Sequence, residues 1–176
     1  GQRQDITLAD GSRLSLNADS AVDLHTQSRG TAYMMYAFAS TPRTRRMAEL
    51  VAPDIIKMDK GDKGTVENTL TDDGVPAITL ELGRPEMFDD TMIARAESGL
   101  TNLMRELKML PGKVTPPPAG LTVANDIVAV RARLPGWARL LLPIGSAVKK
   151  DQPIAEVRDA FGRSLETGVA PADGRI

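Results

Sequence analysis

Three consecutive prolines, Pro116, Pro117 and Pro118, divide this chain into two stretches with different hydrophobic patterns. Each proline fixes φ, withholds a backbone donor and disfavours helix in the residue before it, so neither a helix nor a central strand crosses the run. Upstream, apolar residues recur at helical spacing between short apolar runs; downstream, short strand-like runs are separated by Gly, Pro and Asp. The pattern predicts an α/β core over residues 21–112, a stiff extended linker over 113–120 and a small all-β domain over 121–176. A length of 176 residues suits a medium domain plus a small one.

Residues 6–16 alternate apolar and polar about Asp10-Gly11, which predicts a tight-turned β-hairpin within a separate segment 1–20. A short buried strand over 21–24 then ends at His25, and a second strand over 32–38 follows the Arg29-Gly30 break. Thr41 as N-cap and Pro42 at the first helical position start a helix that runs to Val51 and stops before Pro53. A strand over 55–58, a polar loop over 59–64, a short helix over 65–71 ended at Gly74, and a buried strand over 77–82 follow. The longest helix is expected over 90–110. Ile93, Ala96, Leu100, Leu103, Met104 and Leu107 share one face, Asp89 and Asp90 suit its N-terminal end, and Pro111-Gly112 stops it. Beyond the prolines, strands are expected over 123–133, 138–142 and 154–157, with another beginning at 173–176 and Trp137 as a packing residue.

The composition narrows the function classes. One Trp, two Tyr and three Phe leave the core to Leu, Ile, Val, Ala and Met. A net charge of -1 without a Lys/Arg run gives no surface for nucleic acid, and no apolar run approaches the ~20 residues that span a bilayer. No cysteine is present, which excludes disulfides, thiolate zinc ligands and a cysteine nucleophile, and suits a reducing compartment such as the cytoplasm. The start at Gly1-Gln2-Arg3, without Met or a signal-peptide pattern, reads as the interior of a longer chain.

Two residues stand out chemically. His25 is the only histidine and ends an apolar strand, where open α/β sheets place ligands. A neutral imidazole there suits zinc, oriented by a nearby carboxylate; the plainer reading is a partly buried histidine satisfied by hydrogen bonds. Glu81 interrupts the apolar run of residues 77–83 and shares a strand face with Thr79 and Gly83. A carboxylate so placed is a candidate general base, then acid; the plainer reading is an edge-strand glutamate facing solvent. Arg29, Lys57, Lys60, Lys63 and Arg84 lie near the same strand ends as candidate ligands for substrate carboxylates. Residues 59–64 lack the spacing of a phosphate loop, and no Gly-x-Ser-x-Gly elbow accompanies Ser28 or Thr26.

The stretch Ala-Val-Asp-Leu-His-Thr-Gln-Ser-Arg-Gly from Ala21 resembles the strand that delivers the third zinc ligand in the succinylglutamate desuccinylase/aspartoacylase family. Residues 61–66 and 74–83 resemble that family's segment bearing the catalytic glutamate, and Pro143-Ile144-Gly145, Gln152-Pro153-Ile154-Ala155 and Phe161-Gly162 are similar to its C-terminal β domain. The resemblance, over residues 21–176, implies a partial zinc-carboxypeptidase-like α/β core and hydrolysis of small N-acyl amino acids. It implies zinc as cofactor, His25 as a zinc ligand, Glu81 as the general base that then protonates the leaving amine, and Arg29 and Arg84 as substrate-binding residues.

One departure accompanies it. Family members carry two further zinc ligands in a His-Gly-x-Glu-like motif upstream, with an Arg-Asn substrate-binding pair in between, and no histidine precedes His25. Residues 6–20 instead resemble the periplasmic β-repeat of ferric-citrate-type sensor and anti-sigma proteins, which implies a chimera and offers the periplasm as the alternative compartment. The expected function is zinc-dependent amide hydrolysis. The alternative is a non-catalytic remnant or chimera acting as a binding module, with self-association covering apolar faces left open.

Overall fold

The computed structural model describes residues 19–27, 34–60 and 62–176 in full and the backbone of 4–7 and 13–16. The chain forms two compact units, Gly1–Asp126 and Ile127–Ile176. In the first, strands β1 (Gln4–Thr7) and β2 (Arg13–Leu16) pair antiparallel with Ile6 opposite Leu14, as the alternation predicts; the turn between them lies outside the described residues.

The rest of the first unit is a five-stranded mixed sheet with two helices packed on one face and a third, short one against the other. Its strands are β3 (Ala21–His25), β4 (Met35–Ala39), β5 (Ile55–Met58), β6 (Ala77–Leu82) and β7 (Thr122–Ala124), in the spatial order β3-β6-β4-β5-β7. The β3/β6, β4/β5 and β5/β7 pairs are parallel, and β4/β6 is antiparallel. Between them run α1 (Pro42–Val51), α2 (Val66–Asp72) and α3 (Asp90–Glu106). Met35, Ala37, Ile56, Ile78 and Leu80 are fully buried in one cluster with residues of α1 and α3. Those strand positions alternate with the other face, which is the polar one.

Local chemistry explains α1. The Thr41 hydroxyl accepts from the Thr44 amide while the Thr44 hydroxyl accepts from the Thr41 amide, a reciprocal cap, and Pro42 occupies the first turn. Ala52 in the left-handed region closes the helix. Helix α3 starts where expected, with the Asp89 carboxylate accepting from the Thr91 and Met92 amides. It ends at Glu106, short of the expected 110, because Lys108 turns to φ +59° and Met109 and Leu110 are exposed. Its inward residues are Ala96, Gly99, Asn102 and Leu103, whereas Ile93 faces solvent.

At Gly99 a Cβ would stand 2.5 Å from the Val51 carbonyl oxygen, so glycine alone lets α1 and α3 approach this closely. Gly99→Ala is expected to cost about 2 kcal/mol in chemical denaturation, because the obstacle is backbone and cannot rotate away. An unchanged midpoint would show that the helices separate freely.

Several expectations change on folding. Strand β3 is an outer strand of its sheet, and Leu24 is 49% exposed rather than buried. The prolines do not bridge free space. Val114 and Leu121 pack on the core of the first unit, and the strand expected over 123–133 shortens to β7, beside β5 in the α/β sheet.

The second unit holds β8 (Trp137–Leu140), β9 (Ala147–Val148), β10 (Pro153–Arg158), β11 (Ser164–Val169) and β12 (Gly174–Arg175). They form an antiparallel sheet ordered β11-β10-β8 and a β12-β9 pair over a small core of Val148, Ile154 and Ala170. Trp137 is 67% exposed and does not serve as the expected packing residue. Glu156 is held by Arg139 and Arg158, and Glu166 by Arg133.

Candidate active site

Strand alternation and register place the chemistry. On β6, Ile78 and Leu80 go under α1 and α3, so Thr79 and Glu81 present the opposite face, on which α2 also docks. Register extends that face into two rows: Asp23, Thr79, Phe38 and Lys57 in one; His25, Glu81, Tyr36 and Ile55 in the next. His25 and Glu81, fifty-odd residues apart in sequence, are thus direct neighbours on parallel strands.

Glu81 is 9% exposed and lies between β3 and β4, which rules out the reading of an edge glutamate in solvent. Its Oε2 is buried without a hydrogen-bond partner among the described residues. Burial raises its proton affinity above the ordinary glutamate value. His25 opposes the rise, Asp23 adds to it, a hydrogen bond from Gln27 opposes it and Glu67 adds again; the net direction is up. Glu81 is therefore a carboxylate readier to hold a proton than one in water.

Each neighbour has a defined place. His25 Nε2 lies 3.1 Å from Asp23 Oδ2, and its side chain is 55% exposed, so it is paired at the surface rather than enclosed. The Gln27 amide donates to the Tyr36 hydroxyl. Glu67 of α2 accepts from Thr65 Oγ1 at 2.8 Å and from Thr79 Oγ1 at 2.8 Å. Arg84 is exposed, just past Gly83, whose φ of +96° turns the chain out of β6. Lys57 pairs with Asp59 at 2.7 Å and Lys60 with Asp72 at 3.1 Å. Arg29 and Ser28 lie outside the described residues.

Thr79 takes the place its strand alternation with Glu81 predicts, and Asp23, Gln27, Tyr36 and Glu67 join the site without having been among the expected residues. Asp23 carried a usable signal, since residues two apart on a strand share a face and Asp23-Leu24-His25 pairs a carboxylate with the imidazole. Glu67 carried none, because only the docking of α2 beside β6 brings it to Thr79.

A catalytic zinc takes three protein ligands and a water. The described residues bring one imidazole beside Asp23, but no group of three or more His, Asp or Glu arranged to hold a metal ion. By themselves they do not fit that ion. No helix among the described residues is long and apolar enough to cross a membrane.

Residues 8–107 match the model of the succinylglutamate desuccinylase/aspartoacylase catalytic domain. That match takes in residues 8–20, and nothing supports the ferric-citrate-type resemblance there. No curated protein matches the sequence. Among solved structures, the ectoine utilization protein EutE (DoeB) from Ruegeria pomeroyi is 18% identical with a TM-score of 0.74 over 90% of this chain and 54% of its own. A succinylglutamate desuccinylase from a Silicibacter species, 18% identical, gives 0.75 over 90% and 52%. A succinylglutamate desuccinylase/aspartoacylase from Rhodobacter sphaeroides, also 18% identical, gives 0.71 over the same shares. At that identity the likeness is one of fold, and this chain spans about half the length of those structures.

Proposed function

The chain belongs to the succinylglutamate desuccinylase/aspartoacylase catalytic-domain family, and from that premise we propose that its polar sheet face serves hydrolysis of the amide bond in small N-acyl amino acids. The observation that carries the proposal is Glu81, a buried carboxylate with one unpartnered oxygen and a raised proton affinity, in register with His25.

The chemistry follows from those two groups. Glu81 takes a proton from a water as the water's oxygen attacks the amide carbonyl. When the C–N bond breaks, it returns that proton to the leaving amine, giving a carboxylate and an amine. His25, held by Asp23, stands beside the reacting centre, and Arg84 meets a substrate carboxylate at the rim. Zinc dependence is the finer part of the reading, supported by the family; its ligands are incomplete among the described residues, and no step here passes through it.

That incompleteness favours a second reading, a non-catalytic module that keeps the fold. Assays of the purified chain on N-succinylglutamate and N-acetylaspartate, with and without added zinc, separate the two. Turnover is expected under the first reading. No hydrolysis of either compound with zinc present would leave the second.

A further inference from the structure

Helix α3 carries a second stripe beside the apolar one that faces the core. Thr91, Arg95, Ser98, Asn102 and Arg105 recur at three and four residues and line one side of a groove of about 940 Å³, a size that takes a small organic molecule. Val51 and Ala52 at the end of α1, with Pro116 and Pro118 of the proline run, form its other sides. The groove belongs to the helical layer on the sheet face opposite Glu81, so the proposed reaction makes no use of it. It is already built. Asn102 ties its three sides together, donating to the Leu50 and Thr115 carbonyls and accepting from the Thr115 amide.

Its charges are not balanced. Arg95 is spent on Asp54 through hydrogen bonds of 3.0 and 2.9 Å. Arg105 is half-buried and has no hydrogen bond or ion pair among the described residues, and its Nε is shut off from water. The chain at Gly112 lies against it, since a Cβ there would stand 2.8 Å from that Nε. A helix C-terminus favours a cation, but that alone leaves the guanidinium donors unspent, and a buried donor without an acceptor is costly. Lys108 and Lys113 are exposed, with no ion-pair partner among the described residues, and Glu106, the one acid between Ser98 and Leu121, is paired with Arg46. Asp90, the acid in the groove's lining, stands at the other end, about 22 Å along the helix from Arg105.

One guanidinium fork matches one carboxylate, and the proline and valine sides match a hydrocarbon body. We propose that this groove is a binding site for an organic carboxylate with an apolar tail, its head on Arg105 and its tail running past Asn102 towards Ser98. The site stands independently of the hydrolase reading.

The probe is octanoate, whose chain spans the roughly 10 Å that α3 rises between Arg105 and Ser98. Titrated into the isotope-labelled chain, octanoate binds saturably in the millimolar range and shifts the amides of α3 and of residues 113–115. Octanamide, with the same shape and no charge, binds about tenfold more weakly, the value of one charge-assisted hydrogen bond. Arg105→Met removes that difference and leaves the melting temperature of the free chain within about 2 °C, because the guanidinium holds nothing there. Ser98→Phe, at an exposed position, fills the place of the tail and weakens acid and amide alike with Arg105 intact. Shifts confined to other regions, equal binding of acid and amide, or an Arg105→Met chain that keeps the preference would overturn the site. Octylamine binding as well as octanoate overturns it too, as a bare hydrophobic contact. Octyl phosphate binding more than about tenfold tighter than octanoate overturns the carboxylate as the ligand class.

Discussion

Glu81→Gln is expected to lower turnover of an N-acyl amino acid by between about a hundredfold and ten-thousandfold, the range for loss of a positioned general base. The same variant is expected to melt at a higher temperature than its parent at neutral pH. The sign follows from burial, which raises the proton affinity of Glu81 in the fold above that of the unfolded chain. Its favourable contribution is then fully present below the ordinary glutamate pKa of 4.5 and is lost as pH rises through the raised folded value. Glutamine has no charge to bury, so the advantage of the variant grows over that window and closes towards acid pH. Melts from pH 4 to 8, run beside steady-state assays, read both effects. Turnover within threefold of the parent would remove Glu81 from the reaction, and a variant less stable at every pH would show that the carboxylate is structural.

The second large effect is expected far from that face. Asn102→Leu should destabilise the first unit by about 3 kcal/mol. Asn102 is 7% exposed, and its amide donates to the Leu50 carbonyl at 3.0 Å and to the Thr115 carbonyl at 2.9 Å, while its oxygen accepts from the Thr115 amide at 2.7 Å. Leucine fills the volume and satisfies none of these groups, and each buried group left unpaired costs about 1–3 kcal/mol, less where water reaches it. The damage should also be local, freeing the segment that leads into the prolines. Urea denaturation gives the first quantity, and protease cleavage between residues 113 and 120 in the variant alone gives the second. A loss under about 1 kcal/mol would mean that water replaces the asparagine.

These two residues show what could be read in advance. Glu81 was visible because its signal is local: a carboxylate in an apolar alternating run contradicts its surroundings whatever the fold. Asn102 was invisible because its partners are fifty-two and thirteen residues away, and a lone asparagine on a helix reads as surface. Gly99 was missed for the same reason, since a glycine within a helix shows its purpose only when α1 crosses it.

The α1 boundaries, the strand carrying Glu81 and the change of pattern around the prolines were all determined by the sequence itself. Caps, periodicity and proline geometry act over a few residues, and their energies do not depend on the rest of the fold. Only the tertiary structure decided that His25 and Glu81 are neighbours, that Asp23 and Glu67 join them, and that the proline stretch lies on the first unit. Those facts depend on strand order and helix docking, which reflect the sum of many weak burial terms across the chain and are written in no single segment.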